Sequence, residues 1–284
     1  RLLRQRLAGE DLSQLDAQLA AFNAEVDADY ATVAEANIGG EGIAPEKIER
    51  VKEIAQRTWT RTLDDRIGIS HEEMSRLAKV PAQPLPVVER VIDDRPEHII
   101  LREERDVMPE DNAWGFKMKV PQHKYNHGEV YNLSIQRGTL TEEERYVIND
   151  HIVQTIIMLE SLPFPRHLRN VPEIAGGHHE RMDGMGYPRR LKGQDMSVLA
   201  RIMAIADVFE ALTAGDRPYK KAKPLSEAIR IMGSFKRNGH LDPDLLDLFL
   251  ETNVWMDYSY RFLNAEQMDE PDIRSVLAIR PAAA

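Results

Sequence analysis

The chain has 284 residues, no cysteine and a net charge of −10. Without cysteine, disulfides and thiolate metal sites are excluded, so a metal must be held by His, Asp and Glu, which favours iron, manganese or zinc. The acidic balance argues against binding nucleic acid polymers through the overall field. No apolar run approaches the roughly 20 residues of a membrane span, and no signal peptide is visible. We therefore expect a cytoplasmic protein without membrane contact.

The first 130 residues predict helices followed by an irregular stretch. Leucines recur at three- to four-residue steps through residues 1–35 and predict a helix that the glycines of residues 37–42 end. A second helix is predicted from about Pro45 to Arg61. Residues 62–130 hold six prolines among many charges, and this pattern predicts turns, a short helix and a hairpin.

From Tyr131 onward the pattern is helical throughout, and no segment alternates with period two. Thr141 and Glu144 form a predicted capping box that opens a helix to about Leu162. Further helices are predicted from near Pro172, over Ser197–Thr213, from near Leu225, and from Asp242-Pro243 through Leu250. The sequence thus predicts an all-α bundle in residues 126–284, with residues 1–125 as a mostly helical, loop-rich accessory segment.

The most informative stretch is residues 178–188, which read His-His-Glu-Arg-Met-Asp-Gly-Met-Gly-Tyr-Pro. Adjacent histidines near a helix end point about 100° apart, so each can meet a different metal, or one a metal and the other a supporting residue. Gly184 and Gly186 allow a tight turn close to a ligand. Tyr187 offers a ring face and a hydroxyl, and Pro188 stiffens the turn. The alternative is a polar loop with incidental histidines.

Two more residues are candidate ligands. Asp207 lies among apolar residues of a predicted helix, where an ionised carboxylate costs several kcal/mol unless it is paired or metal-bound. The alternative for Asp207 is an ion pair with Arg201 or Arg217. His151 lies on the mainly apolar face of its predicted helix. The alternative to a metal ligand there is a core histidine that is satisfied by hydrogen bonds.

The spacing of these residues suits a single centre. His178 follows His151 by 27 positions, and Asp207 follows His179 by 28. Each interval is one helix plus a connection, so helices of a bundle can project all four side chains to one point, as in di-metal bundle proteins.

Residues 178–188 resemble the HHExxDGxGYP signature of the HD-GYP subgroup of HD-superfamily phosphohydrolases. Three further segments resemble parts of the same family: residues 138–144 leading to His151, residues 204–213, and residues 216–220. The resemblance covers about residues 127–255. It implies an all-α bundle, a centre of two or three iron or manganese ions, and hydrolysis of cyclic di-GMP to pGpG or GMP in bacterial signalling.

The resemblance also assigns roles by position. As metal ligands it implies His151, His178, His179 and Asp207. As catalytic residues it implies Glu180 and Asp183. As substrate-binding residues it implies Gly186, Tyr187, Pro188, Arg217 and Lys220. Alone, the lysines after Arg217 would be an ordinary solvated patch; after Arg217-Pro218 they resemble a phosphate clamp. The implied partners are cyclic di-GMP, signalling proteins and a second copy of the chain.

One feature departs from the family pattern, because no His in this chain is followed by Asp. Gln122-His123 stands where the name-giving His-Asp pair is expected, and His123 with His127 is a candidate replacement at i, i+4. The preferred expectation places the pair upstream of Arg1, with residues 1–125 inserted between the halves of the site. His240 is interpreted as structural.

Two alternative functions follow from that departure. The first is a catalytically inactive module that binds cyclic di-GMP or protein partners. The second is an HD phosphohydrolase that acts on another nucleotide.

The turn formed by Arg217 and the lysines that follow it gives a first test. Arg217 can meet a phosphate with two parallel hydrogen bonds, which Lys cannot copy. We expect Arg217→Lys in the intact enzyme to weaken substrate use by about 1.5–3 kcal/mol, the range for a charge-assisted bond, with metal content unchanged. Turnover, metal content and melting temperature measured on one variant decide the matter, since parallel loss of metal and activity would contradict the clamp.

Overall fold

The computed structural model describes residues 2–9, 14–38, 40, 42–215 and 222–281. The chain forms two compact units, one of residues 1–106 with 121–145 and the other of residues 107–120 with 146–284. The predicted all-α class is confirmed, and two small hairpins add to it. Within the described ranges, no helix combines the length and apolarity needed to cross a membrane.

The first unit holds helices and both hairpins. Residues 58–61 pair antiparallel with residues 87–90, and residues 99–101 pair antiparallel with residues 123–126. The elements of this unit are α1 (Leu2–Leu7), α2 (Leu15–Ile38), α3 (Pro45–Ile54), β1 (Thr58–Arg61), α4 (His71–Leu77), β2 (Val87–Arg90), β3 (Ile99–Leu101), β4 (His123–Asn126) and α5 (Glu129–Leu133).

Two predicted helix bounds in this unit are wrong. The continuous N-terminal helix is interrupted, because α1 ends at Leu7 and Gly9 takes a positive φ of 72°. The helix predicted to reach Arg61 ends at Ile54, since the β-branched and aromatic residues 58–60 pair with β2 instead. The predicted short helix and hairpin in residues 62–130 are confirmed by α4 and the paired strands.

The small core of the first unit packs α2 against α3 and α5 through Ala36, Val51 and Leu133. Asp29 of α2 is 4% exposed and would be costly as a lone buried charge. Two arginines pair with it: Arg50 donates from its terminal nitrogen and Arg57 approaches from Nε. These pairs fix α2 to α3 and to the turn that follows α3.

The helices from residue 142 onward match the predicted starts closely. The Thr141 hydroxyl accepts from the Glu144 amide at 3.1 Å, and the Glu144 carboxylate accepts from the Thr141 amide at 2.9 Å, which confirms the capping box. Asp242 likewise caps its helix. The helices are α6 (Glu142–Glu160), α7 (Val171–Gly177), α8 (Val198–Thr213), α9 (Leu225–Arg237), α10 (Pro243–Glu251), α11 (Val254–Phe262) and α12 (Ile273–Leu277).

The main core of the second unit is built from side chains of α8, α9, α10, α11 and α12. Fully buried side chains such as Ile229, Met232 and Leu246 lie at its centre, and each contributes about 1.5–3 kcal/mol by burial. Lys236 of α9 is also buried, and its ammonium donates to both oxygens of Asp247 and to the carbonyls of residues 276 and 277. That single cation ties α9 to α10 and to the end of α12.

Candidate metal centre

Helix α7 lies unusually close to its two neighbours because its last residues are glycines. A Cβ added to Gly176 would stand 2.6 Å from Cγ1 of Ile156 in α6. A Cβ added to Gly177 would stand 2.9 Å from Cβ of Ala200 in α8. Glu173 of α7 also accepts from the amide and hydroxyl of Ser197, which caps α8. The C-terminal end of α7 is therefore held against both helices.

Three predicted ligands meet at this point. His178 and His179 directly follow α7, and His151 lies on α6. One ring nitrogen from each of the three histidines lies within 4.8 Å of the others, and Nε2 of His151 lies 3.1 Å from Nε2 of His179. The structure thus brings together three of the four predicted metal ligands.

Backbone carbonyls orient two of the rings. Nδ1 of His178 lies 2.7 Å from the carbonyl oxygen of Ala175, and Nδ1 of His151 contacts the carbonyl oxygen of Ile148. A carbonyl oxygen only accepts, so each Nδ1 must carry the proton, which leaves Nε2 with a free lone pair. Metal-binding histidines are commonly held in this way.

His179 is held in the neutral form that binds metals. Burial lowers the pKa of His179 to about 4, and the neighbouring His178, His151 and His240 add to the shift. Protonation at neutral pH therefore does not compete with a metal for this ring.

The donor set fits a divalent transition metal. Two nitrogens on one ion at about 2.0–2.1 Å stand roughly 2.9–3.4 Å apart at coordination angles of 90–110°, and the 3.1 Å between the two Nε2 atoms falls in this interval. Imidazole suits iron and zinc, whereas magnesium, calcium and manganese favour oxygen ligands. Among the described residues, no carboxylate belongs to this group of three.

Asp207 lies near the centre without joining the group. It is half-buried on α8 and acts on Tyr187: burial raises the pKa of the Tyr187 hydroxyl, and the Asp207 carboxylate raises it further. The alternative of a pair with Arg201 is not observed, because Arg201 pairs with Asp242. The ligand role of Asp207 stays a prediction.

Glu180 organises the loop that follows the histidines. Its side chain is 1% exposed, and its two carboxylate oxygens accept from the amides of Arg189 at 2.6 Å and Leu191 at 2.9 Å. Burial raises the pKa of this carboxyl, although the backbone hydrogen bonds oppose the rise. These contacts give Glu180 a positioning role, and its predicted catalytic role stays a prediction.

The two glycines of the loop serve different purposes. Gly184 has a φ of +76°, as the predicted tight turn requires. Gly186 is buried against its own chain, because a Cβ there would stand 2.5 Å from the amide nitrogen of Arg181 and from Cα of Glu180. The close approach is therefore to backbone, and a substrate contact of Gly186 stays a prediction.

Tyr187 and Pro188 complete the loop over the histidines. The Tyr187 ring stacks on His179 with centroids 4.9 Å apart and planes 17° apart. Its amide donates to the His179 carbonyl at 3.2 Å. Pro188 is buried, and its peptide bond with Tyr187 is cis. Tyr187 thus presents its ring at the histidine cluster, where the sequence predicts a substrate contact.

Asp183 is held by its own neighbours. Arg181 donates to both carboxylate oxygens at 3.1 and 2.6 Å, and the amide of Met185 donates at 2.8 Å. Burial alone would raise the pKa of Asp183, but these hydrogen bonds outweigh it and lower the pKa. Its own amide donates to the carbonyl of Gly239 at 2.9 Å, so the loop is pinned to the turn before α10.

His240 lies half-buried in that turn. Burial lowers its pKa to about 4, with a further contribution from the charge of Arg181, while Asp183 opposes the shift. Its electrostatic influence reaches His179. The structural role interpreted for His240 stays a prediction, and the structure places this imidazole within electrostatic influence of His179.

Four other predicted residues have different outcomes. Arg217 and Lys220 lie outside the described residues. His123 belongs to strand β4 and His127 follows it, and neither is a member of the three-histidine group. In a strand, positions i and i+4 stand about 13 Å apart, so the i, i+4 chelation considered for this pair, which needs a helix, is wrong.

Sequence reasoning missed Arg189, which directly follows the signature. Its Nε donates to the carbonyl of Trp114 at 2.8 Å, and its terminal nitrogen pairs with Glu160 at 2.9 Å. Trp114 lies 75 positions earlier, and no local pattern indicates a contact over that separation.

Comparison with known proteins identifies the family of the region that contains the histidine cluster and the loop. A sequence profile described as HD domain matches residues 86–245, more than half of the chain. The chain belongs to the HD domain family. The resemblance to its HD-GYP subgroup is thereby confirmed.

Three curated relatives show the range of similarity. A probable cyclic di-GMP phosphodiesterase of Vibrio cholerae is 36% identical over 146 residues, which are 49% of this chain and 33% of the relative. A 3'3'-cGAMP-specific phosphodiesterase 1 of the same species is 40% identical over 116 residues, 41% and 26% of the two chains. A cyclic di-GMP phosphodiesterase of Pseudomonas aeruginosa is 46% identical over 114 residues, 40% and 26%. The matched region is therefore about a third or less of these relatives' length.

The histidines of this HD domain give a direct test of metal binding. We expect His151→Ala and His178→Ala each to weaken Mn²⁺ or Fe²⁺ binding at least tenfold, since each removes one donor of a three-donor group. Metal content after dialysis, measured by inductively coupled plasma mass spectrometry, reports the loss. His167→Ala is the matched control, because His167 is an exposed histidine outside the group. Full retention of metal in both site variants would refute the assignment.

The close approach at Gly186 gives a second test. We expect Gly186→Ala to destabilise the HD domain by about 1–3 kcal/mol, because the added methyl group overlaps the backbone of residues 180 and 181. Denaturant unfolding measures this change. Gly215→Ala is the control, since its methyl group would lie at an ordinary 3.6 Å from Cβ of Ala222. Equal effects of the two substitutions would contradict the packing described for the loop.

Proposed function

We propose that this chain carries part of the metal centre and the substrate loop of a phosphodiesterase that hydrolyses cyclic di-GMP to pGpG or GMP. The observation that carries the proposal is the convergence of His151, His178 and His179 beneath the Tyr187 ring. The names of the relatives support the class of substrate. We further propose that the protein acts in the cytoplasm, with iron or manganese as the metal and with signalling proteins or a second copy as partners.

Each histidine would hold a divalent ion through one ring nitrogen, which is Nε2 for His151 and His178. We propose Asp207, close enough to influence Tyr187, as the carboxylate that completes this set. When bound, the ions supply Lewis acidity to a phosphodiester and lower the pKa of water toward neutrality. The two or three ions expected for the family require further ligands, which we propose lie in the His-Asp segment that this chain lacks.

The loop residues have distinct proposed roles around the substrate. Tyr187 offers a ring face to a guanine base, because one face already rests on His179. Glu180 keeps the loop closed by holding two of its amides. Asp183 is proposed to have a catalytic role, and hydrogen bonds from Arg181 and from the Met185 amide hold its carboxylate in place. Arg217 and Lys220 are proposed to contact phosphate oxygens, because a planar guanidinium matches their geometry.

A second candidate is a non-catalytic module that binds cyclic di-GMP or a protein partner. The observation that favours it is the donor set itself: within the described part of the chain the group contains three histidines and no carboxylate. A single ion in such a group can bind an anion, but hydrolysis in this family is expected to need more than one ion. Binding without turnover is the signature of this alternative.

The test offers the intact enzyme, loaded with Mn²⁺ or Fe²⁺, two substrates: cyclic di-GMP and 3'3'-cGAMP. We expect release of pGpG or GMP from cyclic di-GMP, followed by liquid chromatography, and a loss of more than tenfold in His179→Ala, which removes a donor. His167→Ala serves again as the matched control.

The outcomes separate the candidates. Turnover that depends on His179 supports the phosphodiesterase, and a preference for 3'3'-cGAMP would reassign the substrate. Nucleotide binding by calorimetry without turnover contradicts hydrolysis by this chain and favours the binding module. If the protein holds metal but neither binds nor hydrolyses either dinucleotide, the result favours an HD phosphohydrolase that acts on another nucleotide.

A further inference from the structure

Residues 107–120, called the strap below, run against α6 within the second unit. Asn112 shapes this segment: its side-chain amide donates to the carbonyls of Pro109 and Phe116 at 2.9 and 3.1 Å, and its side-chain oxygen accepts from the Phe116 amide at 2.9 Å. Gly115 supplies a positive φ of 70° within this turn. One side chain thus fixes the strap conformation.

An aromatic residue anchors the strap to α6. Phe116 is 6% exposed and packs in a cluster with Ile152, Val153 and Ile156. Trp114 stacks on Phe116, with centroids 5.9 Å apart and planes 7° apart. Burial of this aromatic side chain stabilises the packing of the strap against α6.

The strap also contacts the signature loop directly. The amide of Lys117 donates to the carbonyl of Pro188 at 2.7 Å. Arg189 bridges three groups: its Nε donates to the Trp114 carbonyl at 2.8 Å, a terminal nitrogen pairs with Glu160 of α6 at 2.9 Å, and its guanidinium lies 5.6 Å from the Phe116 ring centroid. The two residues after Tyr187 are therefore fastened to the strap.

Tyr187 connects the strap contacts to the histidine cluster. Tyr187 is half-buried, its ring stacks on His179, and it also packs against the Phe116 cluster. The position of Tyr187 is therefore set by the stacking on His179 and by the packing against the cluster that includes Phe116 of the strap. No contact between the strap and the three histidines is needed for this influence.

We propose that the strap is a positioning element of the centre, and that Arg189 is the residue through which it fixes Tyr187 over His179. The catalytic consequence rests on the proposed function, whereas the structural consequence does not. The guanidinium is needed because a planar fork can serve a carbonyl, a carboxylate and a ring face together, which a lysine ammonium cannot do.

The first experiment measures amide hydrogen exchange of the metal-loaded full chain by mass spectrometry. In Arg189→Lys we expect exchange in residues 187–191 to accelerate about three- to tenfold, the change that loss of one hydrogen bond to a neutral carbonyl allows. Exchange in α9 and α10 should stay unchanged. Arg190→Lys is the matched control, because Arg190 is the adjacent residue and is exposed.

A second pair of variants perturbs the strap without touching the loop. Asn112→Ala removes the side chain that fixes the strap turn, and Asp111→Ala changes an exposed neighbour. We expect Asn112→Ala to accelerate exchange in residues 187–191 as Arg189→Lys does, and Asp111→Ala to leave that exchange as in the wild type. Accelerated exchange throughout the unit, or none in the loop, would overturn the proposal.

The third measurement connects the loop to turnover. With cyclic di-GMP as substrate, kcat/KM should fall about tenfold in Arg189→Lys and Asn112→Ala, with metal content unchanged, and should stay at the wild-type value in both controls. Faster loop exchange with unchanged kcat/KM would overturn the positioning role. If the wild-type chain shows no turnover, the proposed function fails, and the exchange comparison still decides whether the strap holds the loop.

Discussion

The close approach of α7 to α6 and α8 is the constraint on which the rest of the site depends. At Gly176 and Gly177 there is no room for a side chain, because Ile156 and Ala200 occupy the space on either side. The short helix can end beside His151 only because its last residues are glycines. The ring nitrogens then meet within a few ångströms without any long loop to bring them together. A larger residue at either glycine would move the histidine pair as a whole.

A buried carboxylate extends this constraint to the loop that follows the histidines. Glu180 follows His179 directly and has almost no exposure, so its two oxygens need partners from the protein. They accept the amides of Arg189 and Leu191, which fold the intervening residues back over the histidines. Burial raises the pKa of Glu180, and the hydrogen bonds from these backbone amides oppose the rise because they favour the charged carboxylate. The loop is therefore stable only while its amides remain aligned.

The parts of the structure that local chemistry controls could be predicted from the sequence. The caps at Thr141 and Asp242 act within three residues, and the predicted helix starts were correct there. The convergence of His151 with the His178-His179 pair followed from helix-length spacing. Strand β1 was missed because its stability comes from pairing with β2, some thirty residues away. Arg189 was missed for the same reason, since its partner Trp114 is distant in sequence.

The charge of the centre explains how an acidic chain can suit a small anionic ligand. The net charge of −10 opposes an approaching phosphodiester at long range. At about 0.1 M salt, however, exposed charges are screened beyond roughly 10 Å, so the field near the histidines is set by what lies close to them. Neutral imidazoles leave the charge of a bound divalent ion uncompensated, and one added carboxylate would remove only half of it. A polymer with charges along its length would extend beyond the centre and meet the net negative charge of the chain, whereas the proposed cyclic dinucleotide would contact mainly the ion and the Tyr187 ring. The same composition that argues against nucleic acid polymers is therefore compatible with a cyclic dinucleotide.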